Sequence, residues 1–441
     1  MMEEDKKQEL VQIQLGTADQ ARPRFWRSLD ELNQTESFER ERHREFPAGG
    51  GVLDEVSRRG FFKLLGASAA VATMAGCTKL PIEAIVPYVV QPEEIIPGKP
   101  LFFATNMEYG GYAQAILARS NEGRPTKIEG NPEHPISLGA TDVFTQGALY
   151  DLYDPYRAQS NSYLGEVRPW PDFIGAMQSP ITSQKAAGGA GLRVLTQAVG
   201  SPTLGAQLRT MAQDFPKMKW HTWEPVTRDG VRGGAQMAFG QQVETVYNLE
   251  NAEVIVALDA DFLNGGFPGF TLYARQYASR RNPDDPRGMS RMYSIESTPS
   301  VTGFKADHRI PVKAADIEQY ARALASRLGV GGAGGQINNN DASWLDALAQ
   351  DLQAHRGAAV IIPGEYQPAA VHALCHAIND ALGAAGKTVN YTEPVLENPV
   401  DMVASIRELV ADMNAGKVEV LLILGGNPVF DAPGDLGFKD A

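Results

Sequence analysis

The chain is 441 residues long, beyond the size at which a single hydrophobic core stops growing, so two or three packed subdomains are expected. Its 53 acidic residues against 40 lysines and arginines leave a net charge of -13, which excludes the broad basic surface needed to neutralise a phosphate backbone, and nucleic acid is not an expected partner. Only two cysteines occur, Cys77 and Cys375, too few for a disulfide framework, a four-thiolate iron–sulfur cluster or a closed cysteine zinc site within this chain.

Residues 1–56 form a polar extension. Within it Phe25, Leu29 and Leu32 have helical apolar spacing, and Ser28 with Glu31 is set as a capping box, so a short docking helix is expected there. Residues 57–77 read as a twin-arginine export signal. Ser57, Arg58, Arg59, Phe61, Phe62 and Lys63 match its consensus at nearly every position, and the mildly apolar, small-residue stretch 61–75 follows as an h-region. That stretch falls short of the roughly 20 apolar residues that span a bilayer. The alternative is an amphipathic helix with a basic start. Met74-Ala75-Gly76-Cys77 resembles a lipobox, which makes Cys77 a candidate for lipidation; the alternative is a bystander cysteine behind an uncleaved signal. Prolines at positions 81, 87, 92, 97 and 100 make residues 78–100 an extended, semi-rigid tether.

From Leu101 onward β-branched runs alternate with helical stretches, which predicts an α/β body of parallel sheets covered by helices. Leu192-Arg193-Val194-Leu195 leads to Ser201-Pro202, a helix cap with a first-turn proline, and a helix through Phe215. Residues 253–258 lead into the glycine turn at Gly265-Gly266. Residues 359–362 lead through Pro363-Gly364 into a helix ending near Leu382, and residues 418–424 lead into Gly425-Gly426-Asn427-Pro428. Glycine-rich loops after parallel strands are where such folds place phosphates, although strand ends also need glycine for geometry alone. Residues 329–341 read as a flexible surface loop. Asp259 and Asp261 flank a strand end as candidates for a ribose or metal, or simply as turn formers. His372 and His376, four residues apart beside Cys375, are candidates for one metal, or for a helix face packed in the core; no zinc motif surrounds them.

Residues 123–157 are similar to the first domain of molybdopterin oxidoreductases. Gly123-Arg124, Lys127 to Pro132, His134-Pro135, Gly139, Gly147 and Tyr153 to Arg157 match that family's pattern in order. Where the enzymes carry three cysteines for a four-iron cluster this chain has Phe103-Ala104-Thr105-Asn106-Met107-Glu108-Tyr109-Gly110-Gly111. Where the fourth is expected it has Val143-Phe144-Thr145-Gln146-Gly147, with Gln146 in place of the lysine that commonly follows. The extension around Phe25-Trp26-Arg27-Ser28-Leu29-Asp30-Glu31-Leu32, the signal, and Glu296-Ser297-Thr298-Pro299-Ser300-Val301-Thr302-Gly303 through Ala306-Asp307-His308-Arg309 resemble the large subunit of alternative complex III, a resemblance that covers most of residues 22–441.

That resemblance implies a molybdopterin-oxidoreductase-like fold, with residues 101–160 as a small cluster-less first domain and 161–441 as the α/β domains. Because the chain stops just after Asn427-Pro428, the fold is expected to be incomplete at its C-terminus, as in a split or truncated subunit. The resemblance further implies a non-catalytic scaffold with no cofactor of its own. Its partners would be an iron–sulfur cluster-bearing region or subunit, a multihaem cytochrome c subunit and integral membrane quinol-binding subunits. The assembly would oxidise quinol on the periplasmic side of the cytoplasmic membrane, attached through partners and a lipid anchor. The alternative is a molybdopterin-binding large subunit that lost its proximal cluster, with Asp259 near the metal.

Overall fold

The computed structural model describes residues 92–331 and 334–441. The signal residues Ser57, Arg58, Arg59, Phe61, Phe62 and Lys63, the lipidation candidate Cys77 and the helix expected at residues 25–32 lie outside the described residues. Of the proline-rich tether, residues 92–100 are described, and they turn twice rather than run straight. Ile95 N–H donates to the Pro92 carbonyl at 3.1 Å and Lys99 N–H to the Ile96 carbonyl at 3.0 Å.

The chain then forms an antiparallel meander, β1 (Leu101–Tyr109), β2 (Tyr112–Asn121) and β3 (Arg124–Gly130). The expectation of parallel pairing therefore begins too early. Gly110 and Gly111, at φ +57° and +82°, join β1 to β2 in a two-residue turn whose twist suits antiparallel strands. Helix α1 (Val143–Tyr153) follows, started by Asp142, whose carboxylate accepts the N–H groups of Phe144 and Thr145 at 2.8 and 2.9 Å. A small hairpin of β4 (Ser162–Tyr163) and β5 (Glu166–Val167) leads into helix α2 (Trp170–Ala186).

Beyond this point the strand–helix alternation read from the sequence holds. Strand β6 (Leu192–Thr196), helix α3 (Pro202–Asp214), strand β7 (Lys219–Thr222) and helix α4 (Asp229–Phe239) come first. Ser201 caps α3 by accepting Leu204 N–H at 3.3 Å, ahead of the first-turn Pro202. After β8 (Glu244–Tyr247) come β9 (Val254–Leu258), α5 (Phe270–Ser279), β10 (Arg291–Glu296), α6 (Val301–Lys305), β11 (His308–Pro311) and α7 (Ile317–Arg327). The C-terminal part carries α8 (Asn339–Ala354), β12 (Ala359–Pro363), α9 (Ala369–Ala381), β13 (Val389–Thr392), α10 (Met402–Asn414), β14 (Val420–Leu424) and α11 (Pro428–Asp431). The expected loop at 329–341 is cut short, because Asn338 accepts Asn340 N–H at 3.2 Å and starts α8.

Two parallel sheets organise this body, ordered β11-β10-β9-β12 and β14-β6-β7; β13 and β8 form an antiparallel pair. Strand β9 is buried on both faces, as strands of a helix-covered parallel sheet are. Its alternate side chains enter different cores. Val254, Val256 and Leu258 meet Ile317, Leu324, Leu348 and Val371 on one face, whereas Ile255 and Ala257 meet Phe262, Tyr273 and Met292 on the other. The second sheet is covered by Ile406 and Leu409 of α10. It is also tied to that helix by a buried ion pair, with Arg193 Nη2 2.8 Å from the Asp412 carboxylate.

Helices α4 and α9 press the two sheet systems together. A Cβ on Gly234 would lie 2.2 Å from the Cβ of His372, and one on Gly230 2.2 Å from the Gln367 carbonyl oxygen. Only glycine permits that approach.

Candidate functional site

Parallel sheets present ligand crevices beyond the carboxyl ends of their strands, where strand order reverses. This fold has two such points, between β6 and β14 and between β9 and β12.

At the first, the loop after β6 and the glycine turn Gly425-Gly426, at φ +77° and +69°, offer the backbone N–H groups that a phosphate would use. Protein carboxylates accept two of these groups. Ala198 N–H donates to Glu224 at 3.0 Å, and Gly200 N–H donates to Glu108 at 3.2 Å. Glu108 arrives on the end of β1, because the β1–β2 turn is pressed into the crevice. A Cβ on Gly200 would sit 1.9 Å from the Gly111 carbonyl oxygen, and one on Gly111 2.3 Å from Leu396. Burial raises the Glu224 carboxyl above its ordinary range and the Glu108 and Asp431 charges add to this, while the bond from Ala198 opposes it. Both carboxylates bring acceptors, not donors, to this crevice.

At the second, Asp259 adopts φ +52° and spends both carboxylate oxygens on the protein. Oδ1 accepts Ser297 N–H at 2.9 Å and the Ser297 hydroxyl at 3.0 Å, and Oδ2 accepts the Gln367 amide at 3.0 Å. Asp261 accepts Thr302 N–H at 2.9 Å and the Asn264 amide at 3.0 Å. Both aspartates are placed as turn formers. The stretch from Glu296 to Arg309 bonds back to both of these turns and also closes on itself. Glu296, buried, takes the Arg309 guanidinium and the Ser300 hydroxyl, and a Cβ on Gly303 would strike its carboxylate.

A cavity of about 300 Å³ lies between the β7 and β12 ends, lined by Pro225, Val226, Thr227, Gly230, Glu365, Tyr366 and Gln367. Its one carboxylate is paired: Glu365 accepts from Arg228, which also reaches Glu244 at 2.9 Å and the Tyr112 hydroxyl. Burial would strip the proton from Arg228, but Glu365 and Glu244 outweigh it and the guanidinium stays charged.

His372, Cys375 and His376 all lie buried on α9. Burial lowers His372 to about 3, aided by His376 and Arg228, and lowers His376 to about 4, so both rings are neutral. His376 packs edge-on against Phe239 and Tyr391 at centroid distances of 5.0 and 5.6 Å. Burial also pushes the Cys375 thiol up. Among the described residues no group of three or more His, Cys, Asp or Glu side chains is placed to hold a metal ion.

The segments 103–111 and 143–147 meet through side chains. Tyr109, at the end of β1, stacks on Phe144 of α1 at 6.0 Å and 16°. Gln146 bonds to Lys127 Nζ at 2.6 Å and to the Thr141 hydroxyl at 2.7 Å. The most specific motif of residues 123–157 has a structural cause. A Cβ on Gly130 would lie 2.3 Å from the Gly139 backbone, and the Asn131 carbonyl accepts from His134 N–H, Gly139 N–H and the Ser137 hydroxyl.

These positions give the sequence likeness a physical footing. The chain is similar to a molybdopterin-binding-like protein. Over 368 residues it is 21% identical to the menaquinone reductase, molybdopterin-binding-like subunit, of Nitratidesulfovibrio vulgaris, covering 74% of this chain and 52% of the relative. It thus spans about half the length of that curated relative. No family model matches the chain. Among solved structures, acetylene hydratase from Pelobacter acetylenicus aligns with TM-score 0.38 at 11% identity, over 66% of this chain and 42% of that one. The formyltransferase/hydrolase complex from Methylorubrum extorquens, in complex with methylofuran, aligns with TM-score 0.32 at 15% identity, over 57% and 58%. Both scores are too low to specify a shared fold.

Glu108 and Glu224 are the site residues that sequence reasoning missed. A signal for Glu108 was present, since Tyr109-Gly110-Gly111-Tyr112 is a hairpin turn flanked by strand-forming residues. Nothing local marks Glu224, whose role depends on a strand brought in from more than 100 residues away.

Proposed function

We propose that this chain is a redox-silent scaffold subunit of a membrane-bound quinol-oxidising complex of the alternative complex III kind. The observation that carries the proposal is the carboxylate pair at the β6 crevice. Glu224 and Glu108 accept the Ala198 and Gly200 backbone N–H groups, donors of the kind a phosphate uses in such a crevice. Asp259, the metal-side candidate, has both oxygens engaged, and the donor set does not fit a bound molybdopterin. The chain's two cysteines likewise supply too few thiolates for a four-iron cluster. In this reading electrons run through partners: an iron–sulfur cluster-bearing region or subunit, a multihaem cytochrome c subunit and integral quinol-binding subunits. The chain would sit on the periplasmic side, exported through Arg58 and Arg59 and anchored at Cys77. Among the described residues no helix is long and apolar enough to cross a membrane.

The name of the relative favours a second reading for direction, with electrons delivered to menaquinone rather than withdrawn from quinol. One preparation tests both: the membrane complex isolated through a tag on this chain. Quinol-dependent reduction of cytochrome c is the expected result. Reduction of a menaquinone analogue by a reduced cytochrome, without the quinol reaction, would support the second reading. A preparation with neither activity would remove both.

A further inference from the structure

Asn264 is the one asparagine of the chain that a glycine follows, in Asn264-Gly265-Gly266. That order exposes the asparagine to its own backbone. The nitrogen of the next residue can close on the side-chain carbonyl carbon, and a glycine there, lacking a Cβ, neither shields that nitrogen nor restricts its approach.

The fold pins the chain on both sides of this tripeptide and leaves the tripeptide itself at the surface. Phe262 and Phe267 are buried, whereas Asn264 and Gly266 are exposed. Thr302 holds the near side: its N–H donates to Asp261 Oδ1 at 2.9 Å and its hydroxyl accepts Leu263 N–H at 3.1 Å. Within the turn Asn264 N–H donates to the Asp261 carbonyl at 3.1 Å, and the Asn264 carbonyl accepts Phe267 N–H at 3.3 Å. Gly265 N–H, the attacking group, is bonded to none of the described residues. Gly266 lies at φ +112°, a conformation open to glycine.

The other candidates are blocked. Asn131, Asn282, Asn398 and Asn427 precede prolines, which have no N–H. Asp229-Gly230 could close the same ring, but it forms the first turn of α4, and the Asp229 carboxylate accepts Met402 and Val403 N–H at 3.0 and 3.2 Å.

We propose that Asn264 is a site of spontaneous modification, converted in the folded chain to isoaspartate and aspartate through a cyclic imide. Hydroxide takes the Gly265 N–H proton and the nitrogen attacks Asn264 Cγ. The Cγ–Nδ2 bond breaks, and Nδ2 leaves as ammonia with a proton from water. Water then opens the ring at either carbonyl carbon. Opening at Cγ gives aspartate; opening at the main-chain carbon gives isoaspartate, with the chain now running through the former side chain. One amide and one water become one acid and one ammonia, with no oxidant or enzyme required.

The product disturbs this corner of the fold. The Asn264 amide donates to Asp261 Oδ2 at 3.0 Å. A carboxylate in its place faces Asp261 with like charge, and Asp261 is the group that holds Thr302 at the head of α6. Isoaspartate also lengthens the backbone next to Gly265, where a Cβ alone would lie 3.3 Å from the Phe144 ring. None of this depends on the scaffold reading.

The test incubates the purified full chain at mildly alkaline pH, folded and in urea, and analyses the peptide spanning residue 264 by mass spectrometry. The folded sample is expected to yield two isomeric products with the amide-to-acid mass change, isoaspartate in excess and methylated by an isoaspartyl methyltransferase, each taking up one heavy oxygen from labelled water. Gly265→Ala is expected to slow the conversion severalfold, and Asn264→Ser to abolish it. The aged chain is expected to unfold at a lower temperature than the fresh one. Conversion confined to the urea sample, faster conversion at Asn161-Ser162 or in the run Asn338-Asn339-Asn340, or an undiminished rate in Gly265→Ala would overturn the site. An unchanged unfolding temperature after full conversion would overturn its effect on the turn and α6.

Discussion

Two carboxylates do opposite work at the sheet of β6. Asp412 is buried between Arg193, at 2.8 Å, and Lys219, at 2.7 Å, and bonds from Lys219 and then Arg193 hold its carboxyl far below the ordinary range. Asp412→Asn leaves the buried Arg193 charge without its counterion, so a loss of roughly 3–5 kcal/mol is expected in urea denaturation. A much smaller loss is expected when Arg193 is replaced by methionine at the same time. Glu224 is the converse case. Its folded carboxyl binds a proton more tightly than in the unfolded chain, so its contribution to stability falls as pH rises above the ordinary value of 4.5. Glu224→Gln keeps an acceptor for Ala198 N–H and is expected to raise the melting temperature at pH 7, with the gain vanishing near pH 4.

At the scale of elements, α4, which follows β7, packs closely on α9, which follows β12. Gly234→Ala places a Cβ 2.2 Å from the His372 Cβ and 2.9 Å from the Ala369 carbonyl oxygen. A loss of about 1–3 kcal/mol is expected, read as a lower denaturation midpoint. The same helix makes the fold acid-sensitive. His372 and His376, lowered to about 3 and 4, stay neutral in the fold, whereas the unfolded chain takes up their protons as pH falls through 6.5. Stability is therefore lost from about pH 6.5 downward, by up to ~1.4 kcal/mol per histidine per pH unit. His376→Phe, set among Phe239 and Tyr391, is expected to flatten the urea midpoint measured between pH 7 and pH 5.

The elements easiest to read were those with local signals. Ser201-Pro202 fixed the start of α3, and the β-branched cores of β9, β12 and β14 fixed the strands to within two residues. The β1–β2–β3 meander departs from the parallel pattern because Gly110-Gly111, both at positive φ, turn the chain straight back on itself. The helical spacing of α2 is visible in its sequence, but whether its apolar stripe is buried depends on neighbours that no local pattern encodes.

For the molecule as a whole, the chain's own acids accept backbone N–H groups at the carboxyl ends of both parallel sheets. The β1–β2 hairpin brings Glu108 to one, and Asp259 braces the other. The resemblance to molybdopterin oxidoreductases lies in the turns and close backbone approaches of residues 123–157. The direct measurement is molybdenum and iron content together with pterin fluorescence after acid extraction, made on this chain separated from its purified complex. The account predicts no pterin signal and no metal in stoichiometric amount, with iron retained by the partners; one pterin and one molybdenum per chain would contradict it.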